Sequence, residues 1–441
     1  MKKFRFCQPT HTDDVVIVGG RVFDPAFCLD IEGAAVWIAK GRVKTVILPG
    51  QQFPSGVPTY DAQGCWVLPG LVDLHVHLRD PGFETAEDLQ SGTCAAVAGG
   101  FTTICAMPNT QPPPDDPQKI MHMRANIQQK AFCRVEVIAA ASEGRKGQRP
   151  VDIAACQAAG AVAFSDDGDA VADLSVLQET LLRCAFTKAV LSDHCERVEL
   201  SCKAPMAAGS IQERLGCTGQ PWPAETIQLA QGILLSAYTG ARYHAQHLSS
   251  RHSVALVQWA KQCGFSVTAE VTVHHLALTD DVVEVLGPLA KCAPPLRTQA
   301  DRQALLEGVR TGVIDAIVTD HAPHEDARKQ DLQTAAFGVI GLETAWPVIH
   351  ELVRRNELPL NTALAAMTHR ASDCFHLVDR GRLTPGARGD VTIYDPNATW
   401  VVTKDFVSKS HNSPFIGWKL PGTIRTVFIG GVKVFNASSN G

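Results

Sequence analysis

The feature that most constrains this chain is the run from about Leu68 to about Leu383, where short apolar strand-like stretches alternate with helix-like ones. Alternation of this kind is the pattern of repeated βα units and predicts a parallel sheet faced by helices. Eight strand cores can be counted: Leu71 to Leu78, Thr102 to Met107, Val135 to Ala140, Ala161 to Phe164, Ala189 to Ser192, Tyr243 to Leu248, Ser266 to Thr272 and Ile314 to Thr319. Helical stretches fall between most of them, among them Pro117 to Gln129, Leu174 to Ala185, Glu225 to Tyr238 and Val254 to Gln262. A count of eight favours a (β/α)8 TIM-like barrel over an open doubly wound sheet. No Gly-x-Gly-x-x-Gly follows a strand, so nothing points to a dinucleotide site.

The two ends of the chain read differently. Asp14 to Ile17, Arg21 to Phe23, Ala35 to Ala39 and Val43 to Leu48 are short β segments punctuated by Gly19-Gly20 and Gly41. Asp390 to Tyr394, Thr399 to Val402, Thr423 to Ile429 and Val432 to Phe435 repeat the pattern at the far end. Two β-rich ends around a βα middle predict a small β-sandwich built from both termini. The expected division is 1–67 and 384–441 for the sandwich and 68–383 for the barrel.

Composition narrows the partner. Of 441 residues, 45% are hydrophobic and 19% charged, which excludes a disordered, collagen-like or coiled-coil chain. The formal net charge is −5 and no Lys/Arg stripe appears, so the electrostatic footprint of a nucleic-acid binder is missing and a small-molecule partner is expected. No stretch approaches the roughly 20 apolar residues of a membrane span. The basic start Met1-Lys2-Lys3 runs into Phe4 to Pro9 without an apolar signal core, so a cytoplasmic location is expected. Fourteen cysteines scattered from Cys7 to Cys374, without Cys-x-x-Cys or metal-finger spacing, read mostly as small buried apolar residues in a reducing compartment.

Chemistry concentrates at the ends of the strands. In Asp73-Leu74-His75-Val76-His77, strand alternation puts His75 and His77 on one face and turns Leu74 and Val76 toward the helix layer. Asp73 is expected to share the histidine face and to support it. Asp166 and Asp167 follow the fourth strand, His194 the fifth, His247 the sixth and Asp320 the eighth. In a barrel these positions meet at one mouth. Four imidazoles and two carboxylates suit one or two divalent ions, zinc first, with manganese, cobalt or iron as alternatives. His274 and His275 read as structural, His244 as facing away from His247, and His321 as facing away from Asp320.

These stretches resemble the bacterial dihydroorotases of the amidohydrolase superfamily, in the branch with an aspartate where relatives carry a carboxylated lysine. The likeness rests on Asp73 to Gly82, Met107 to Thr110, Phe164 to Gly168, Asp193 to Glu196, His247 to Ser249, Pro294 to Arg297 and Thr319 to His324. The terminal β segments fit the family's composite sandwich. The resemblance implies metal ligation by His75, His77, Asp167, His194, His247 and Asp320, with Asp167, the second aspartate of its run, as the bridge. It implies Asp320 as the catalytic proton carrier. It also implies that Arg79, Asn109 and His324 bind the substrate carboxylate; a guanidinium fork and neutral donors suit an anion.

The implied reaction is reversible cyclisation of N-carbamoyl-L-aspartate to L-dihydroorotate in de novo pyrimidine biosynthesis. A homodimer and an aspartate transcarbamoylase partner are implied in the same way. Hydantoinase or allantoinase activity is the alternative, and a non-catalytic subunit of the transcarbamoylase a more distant one. The sequence departs from many relatives at Ala293, where an asparagine precedes Pro-Pro-Leu-Arg. An alanine side chain offers no hydrogen bond to a substrate ring.

Overall fold

Each apolar run of the middle forms a strand in a computed structural model, which describes residues 4–437. Met1-Lys2-Lys3, part of the expected signal-free start, lie outside the described residues. The strands are β1 (Leu71–Val76), β2 (Phe101–Ala106), β3 (Arg134–Ala140), β4 (Ala161–Ser165), β5 (Val190–Asp193), β6 (Arg242–Ala245), β7 (Val267–Thr272) and β8 (Ala316–Val318). They pair in parallel and in chain order. The ring closes where the His77 N–H donates to the His321 carbonyl at 2.9 Å, beside a parallel bridge between Val76 and His321. This is the (β/α)8 architecture expected.

The crossover helices begin where an aspartate accepts a backbone N–H. Asp116 caps Pro117–Lys130 through Lys119 N, and Asp173 caps Leu174–Thr187 through Ser175 N and Val176 N. Their apolar faces, including Ile120, Met123, Leu177 and Leu181, pack with Val135, Val137 and Phe164 on the outside of the ring. Inside, Val72, Leu74, Cys105, Ile138, Ala163 and Val318 form a separate cluster with Cys374, Phe375 and Leu377. The barrel is therefore filled with side chains, and its histidine and aspartate cluster lies at one mouth.

Alternation along β1 is broken once. Asp73 pairs with Ile104 and Val76 with Ala106, so Leu74 and His75 together stand opposite Cys105. This bulge reverses the parity of the strand. Leu74 joins the interior cluster instead of the helix layer, and Asp73 falls out of step with the histidines. Asp73 accepts from His75 N at 3.1 Å and from Thr319 Oγ1 at 2.6 Å, bracing the seam between β1 and β8.

The termini form one nine-stranded sheet. Its path runs Phe4–Phe6, Val432–Ala437, Lys419–Ile429, Val391–Val401, Trp66–Pro69, Val15–Asp24, Leu29–Ala39 and Arg42–Ile47, with Thr59–Asp61 alongside Val15–Asp24. Val391–Val401 lies antiparallel to Trp66–Pro69, which joins the two ends of the chain. Val15, Ile17, Val36, Val391, Ile393 and Phe428 share one core. The Gly19-Gly20 punctuation is a register shift inside a single strand, Val15–Asp24, not a break between two. Ten cysteines are buried, four are exposed and all fourteen are unpaired, as their scatter predicted. Among the described residues no helix is long and apolar enough to cross a membrane.

Candidate active site

At the carboxyl-terminal mouth of the barrel a cavity of about 300 Å3 is lined by His77, Arg79, Asn109, Asp167, His194, His247, Asp320 and His324. His75 lies fully buried against them. The structure thus brings together all nine residues singled out in the sequence. Arg79 (φ 61°), His247 (φ 30°) and Asp320 (φ 46°) follow β1, β6 and β8 in left-handed backbone, a conformation that costs energy for non-glycine residues and gathers at functional sites.

Asp167 is the hub. Its Oδ1 lies 3.3 Å from His75 Nε2, 3.6 Å from His194 Nδ1 and 3.8 Å from His247 Nε2, and its Oδ2 lies 3.5 Å from His77 Nε2. Burial works against its charge, but the surrounding histidines hold this carboxyl well below the usual range. Asp166 turns the other way, accepting from Ala141 N at 3.0 Å, from Ser142 N at 3.1 Å and from the Ser142 hydroxyl. Asp320 Oδ1 lies 3.0 Å from His77 Nε2 and 3.5 Å from His75 Nε2.

The donor set fits divalent metal. His75, Asp167 and His247 offer ligand atoms within 4.8 Å of one another, as do His75, His77 and Asp320. His75 Nε2 is buried and makes no hydrogen bond among the described residues. His194 Nδ1 and His247 Nε2 face each other at 2.9 Å. Nitrogen and carboxylate atoms so crowded, with so few donors to share, have the chemistry of a cation site.

Neighbouring carboxylates and amides orient these ligands. Glu270, on β7, accepts from His75 Nδ1 at 2.7 Å and from His244 Nε2 at 3.0 Å. With Nδ1 donating to Glu270, His75 would offer Nε2 as the ligand atom to a bound cation. Glu196 meets His194 Nε2 at 3.1 Å and Lys203 Nζ at 2.8 Å. Burial opposes the charged form of His194, yet hydrogen bonds with Asp167 and Glu196 raise it to about 9. Asn109 Oδ1 accepts from His77 Nδ1 at 2.7 Å while its Nδ2 donates to Asp167 Oδ2 at 3.2 Å.

Arg79 donates through Nε to Pro323 O at 3.2 Å, and burial pushes its guanidinium down to about 10. His324 donates through Nε2 to Phe337 O at 2.8 Å; burial and the nearby Arg79 lower it to about 3, so the ring is neutral. Ala293 lines the same cavity, as do Lys203, Gln220 and Arg328.

Glu270 and Glu196 were missed in the sequence. The available signal for Glu196 is its place in the Asp193 to Glu196 stretch, two residues past His194. Glu270 sits in an apolar run whose inward face only the closed barrel defines. His244 was expected to face away from His247, yet it shares Glu270 with His75, because the chain leaves β6 after Ala245 and His247 turns back at positive φ. His321 does face away, toward Glu87 Oε2 at 3.3 Å. His275 pairs with Thr272 Oγ1 at 2.7 Å and Pro294 O at 3.2 Å, the structural part expected of it. His274 Nε2 is buried without a partner among the described residues.

Comparison with known proteins agrees with this mouth. Residues 64–253 match the family model described as dihydro-orotase-like. The chain is 40% identical over 384 residues to a dihydroorotase of Geobacillus thermodenitrificans (strain NG80-2), covering 86% of this chain and 90% of that protein. It is 39% identical over 430 residues to a dihydroorotase of Solibacter usitatus (strain Ellin6076), covering 97% and 99%. In fold it is similar to an L-hydantoinase (dihydropyrimidinase) from Arthrobacter aurescens, with a TM-score of 0.86, 24% identity and 97% of each chain covered. With identities near 40% over almost the full length, the chain belongs to the dihydroorotase family.

Proposed function

We propose that this chain catalyses reversible closure of N-carbamoyl-L-aspartate to L-dihydroorotate, the cyclic-amide step of de novo pyrimidine biosynthesis. The observation that carries the proposal is the meeting of four histidines and two aspartates beside Arg79 at one mouth. His75, His77, Asp167, His194, His247 and Asp320 would hold one or two divalent ions, zinc first and manganese, cobalt or iron as alternatives, with Asp167 shared between them. When bound, such ions lower the pKa of water and polarise a carbonyl.

The protein's own groups do the rest. In ring opening, Asp320 takes the proton of the attacking water and delivers it to the departing ring nitrogen; in closure it returns that proton the other way. Its carboxyl is ionised and so carries no proton of its own: burial opposes ionisation, but His75 and His77 keep it below the usual carboxylate range. Arg79 offers a guanidinium fork to the substrate carboxylate. Asn109 has a second amide hydrogen beyond the one given to Asp167. His324, being neutral, binds as a hydrogen-bond donor by exchanging Phe337 O for a substrate oxygen. Together they fix the scissile carbonyl against the nucleophile.

In this proposal the hydrolase barrel spans 68–383, the two sandwich parts span 1–67 and 384–441, and the protein works in the cytoplasm. Association as a homodimer and with aspartate transcarbamoylase belongs to the same proposal. The test is metal analysis of the purified protein with turnover assays on dihydroorotate, N-carbamoyl-aspartate, hydantoin and allantoin. Bound divalent metal and turnover of the first pair are expected. Turnover of hydantoin or allantoin alone would overturn the substrate and leave the metal centre standing.

A further inference from the structure

A second cleft, of about 880 Å3, opens at the other end of the barrel. It lies where β3 begins at Arg134 and where Gly160 leads into β4. Arg124 stands on the helix Pro117–Lys130, and Arg380 and Arg388 come from the segment between the helix His369–Cys374 and the strand Val391–Val401. None of these residues belongs to the mouth that holds the histidines.

The wall carries more positive than negative charge. Arg134 is paired with Asp390 through Nε at 2.8 Å and Nη2 at 3.1 Å. Arg380 engages Glu136 and, at 3.0 Å, Asp379. Asp379 is divided further, lying 3.2 Å from Arg388 Nε and 3.5 Å from Arg42 Nη1. Arg124 donates to a backbone carbonyl, Ala159 O, at 3.0 Å. On the wall itself four guanidinium groups, those of Arg124, Arg134, Arg380 and Arg388, face one carboxylate, that of Glu136, while Asp379 and Asp390 reach them from behind the lining.

Crowding of like charge is visible in Arg388, which burial and then Arg134 and Arg380 push below the ordinary arginine value. The Arg380 Nε–H is buried with no hydrogen-bond partner among the described residues. Arg124 is seated by design of the backbone: a Cβ on Gly160, which has φ +110°, would fall 1.6 Å from its Nη1. On the same helix as Arg124, Met121 is 54% exposed and Ile127 also lines the cleft.

We propose that this cleft binds a small phosphate-bearing ligand of nucleotide size. Guanidinium groups match phosphate oxygens in fork geometry, and surplus positive charge in a concave site raises the local concentration of anions. The Met121 and Ile127 wall gives an apolar moiety something to lie on. The volume falls in the range of small-molecule sites.

The test is calorimetric titration of the metal-loaded protein with AMP, UMP and inorganic phosphate, with acetate as an anion lacking phosphate. Monophosphates are chosen because they compete weakly for bound metal. One site per chain is expected, binding a nucleoside monophosphate more tightly than phosphate alone and weakening as salt rises. Arg124→Gln and Arg388→Lys should each weaken it about tenfold, the loss of one charge-assisted hydrogen bond, while turnover without nucleotide stays at the wild-type value. No binding at millimolar nucleotide, equal binding of acetate, or unchanged affinity in both folded variants would overturn the proposal. Turnover assays run separately, so failure here leaves the function of the barrel mouth untouched.

Discussion

Glu270→Gln tests whether metal affinity at the mouth depends on a residue that never touches the metal. Glu270 is fully buried and accepts from His75 Nδ1 at 2.7 Å, His244 Nε2 at 3.0 Å and His247 N at 3.3 Å. Burial opposes its ionisation, but His75 and His244 keep it charged, down to about 2. A glutamine fills the same volume and can still be satisfied. His244 has its Nδ1 on a hydroxyl, Thr268 Oγ1 at 2.8 Å, which donates as readily as it accepts. That ring can change tautomer and accept from the new amide, while the glutamine oxygen keeps the His75 Nδ1–H. His75 has no such freedom, because a proton on Nε2 would abolish its ligand atom.

What Glu270→Gln removes is therefore the charge in one hydrogen bond to a ligand, about 1–1.5 kcal/mol, or roughly tenfold in affinity. Glu270→Ala also orphans the buried N–H groups, so it should cost closer to a hundredfold in affinity and lower the unfolding midpoint of the metal-free protein. The assay is competition for zinc against a chromogenic chelator at fixed pH, beside thermal unfolding of the stripped protein. Metal affinity within twofold of wild type in Glu270→Gln, or equal losses in the two variants, would refute the coupling through His75.

Asp320→Asn should retain the fold and part of the metal but slow turnover in both directions by roughly 10²-fold or more, the usual worth of a positioned proton carrier; a wild-type rate would remove Asp320 from that role. Asp167→Ala should cost metal content measured by emission spectroscopy, whereas Asp166→Ala should leave metal bound and show as a lowered unfolding temperature, because the Asp166 carboxylate turns to Ala141 and Ser142 in the strand-end loop. Ala293→Asn, which adds an amide at the cavity wall, should change KM for dihydroorotate only several-fold, the worth of one hydrogen bond at about 0.5–1.5 kcal/mol net. Loss of activity on dihydroorotate with gain on no other ring would show instead that the wall has no room for it.

The ligand set was legible because each residue follows a strand, and a parallel barrel brings strand ends to one place whatever the details between them. His194, His247 and Asp320 needed only the strand count to be placed together. The choice between Asp166 and Asp167 was not legible from the run itself, since adjacent residues at a strand end differ only in which way each one turns. Alternation also failed locally at Leu74 and His75, where two residues face one on β2. A bulge has no composition of its own when both residues fit the interior, so Asp73 was placed on the wrong face and its hold on Thr319 went unseen.

The residues that orient the ligands were hidden for a different reason. Glu270 lies about 195 positions from His75 in sequence, and the two meet only because β1 and β7 both line a closed interior. A buried carboxylate inside an apolar strand is costly without a partner, so Val267–Thr272 carrying Glu270 through its middle implies that something cationic or donating waits inside the ring. The histidines of β1 and β6 supply those donors, as the pairing rule for buried charge requires. The same rule applies at the base of the barrel, where Glu136 stands within β3 and is met by Arg380. There the balance runs the other way, with more arginines than carboxylates around the cleft. A fold that meets Asp167, Asp320 and Glu270 with histidine at its mouth, and gathers arginines around Glu136 at its base, would hold cations at one end and, on the proposal above, anions at the other.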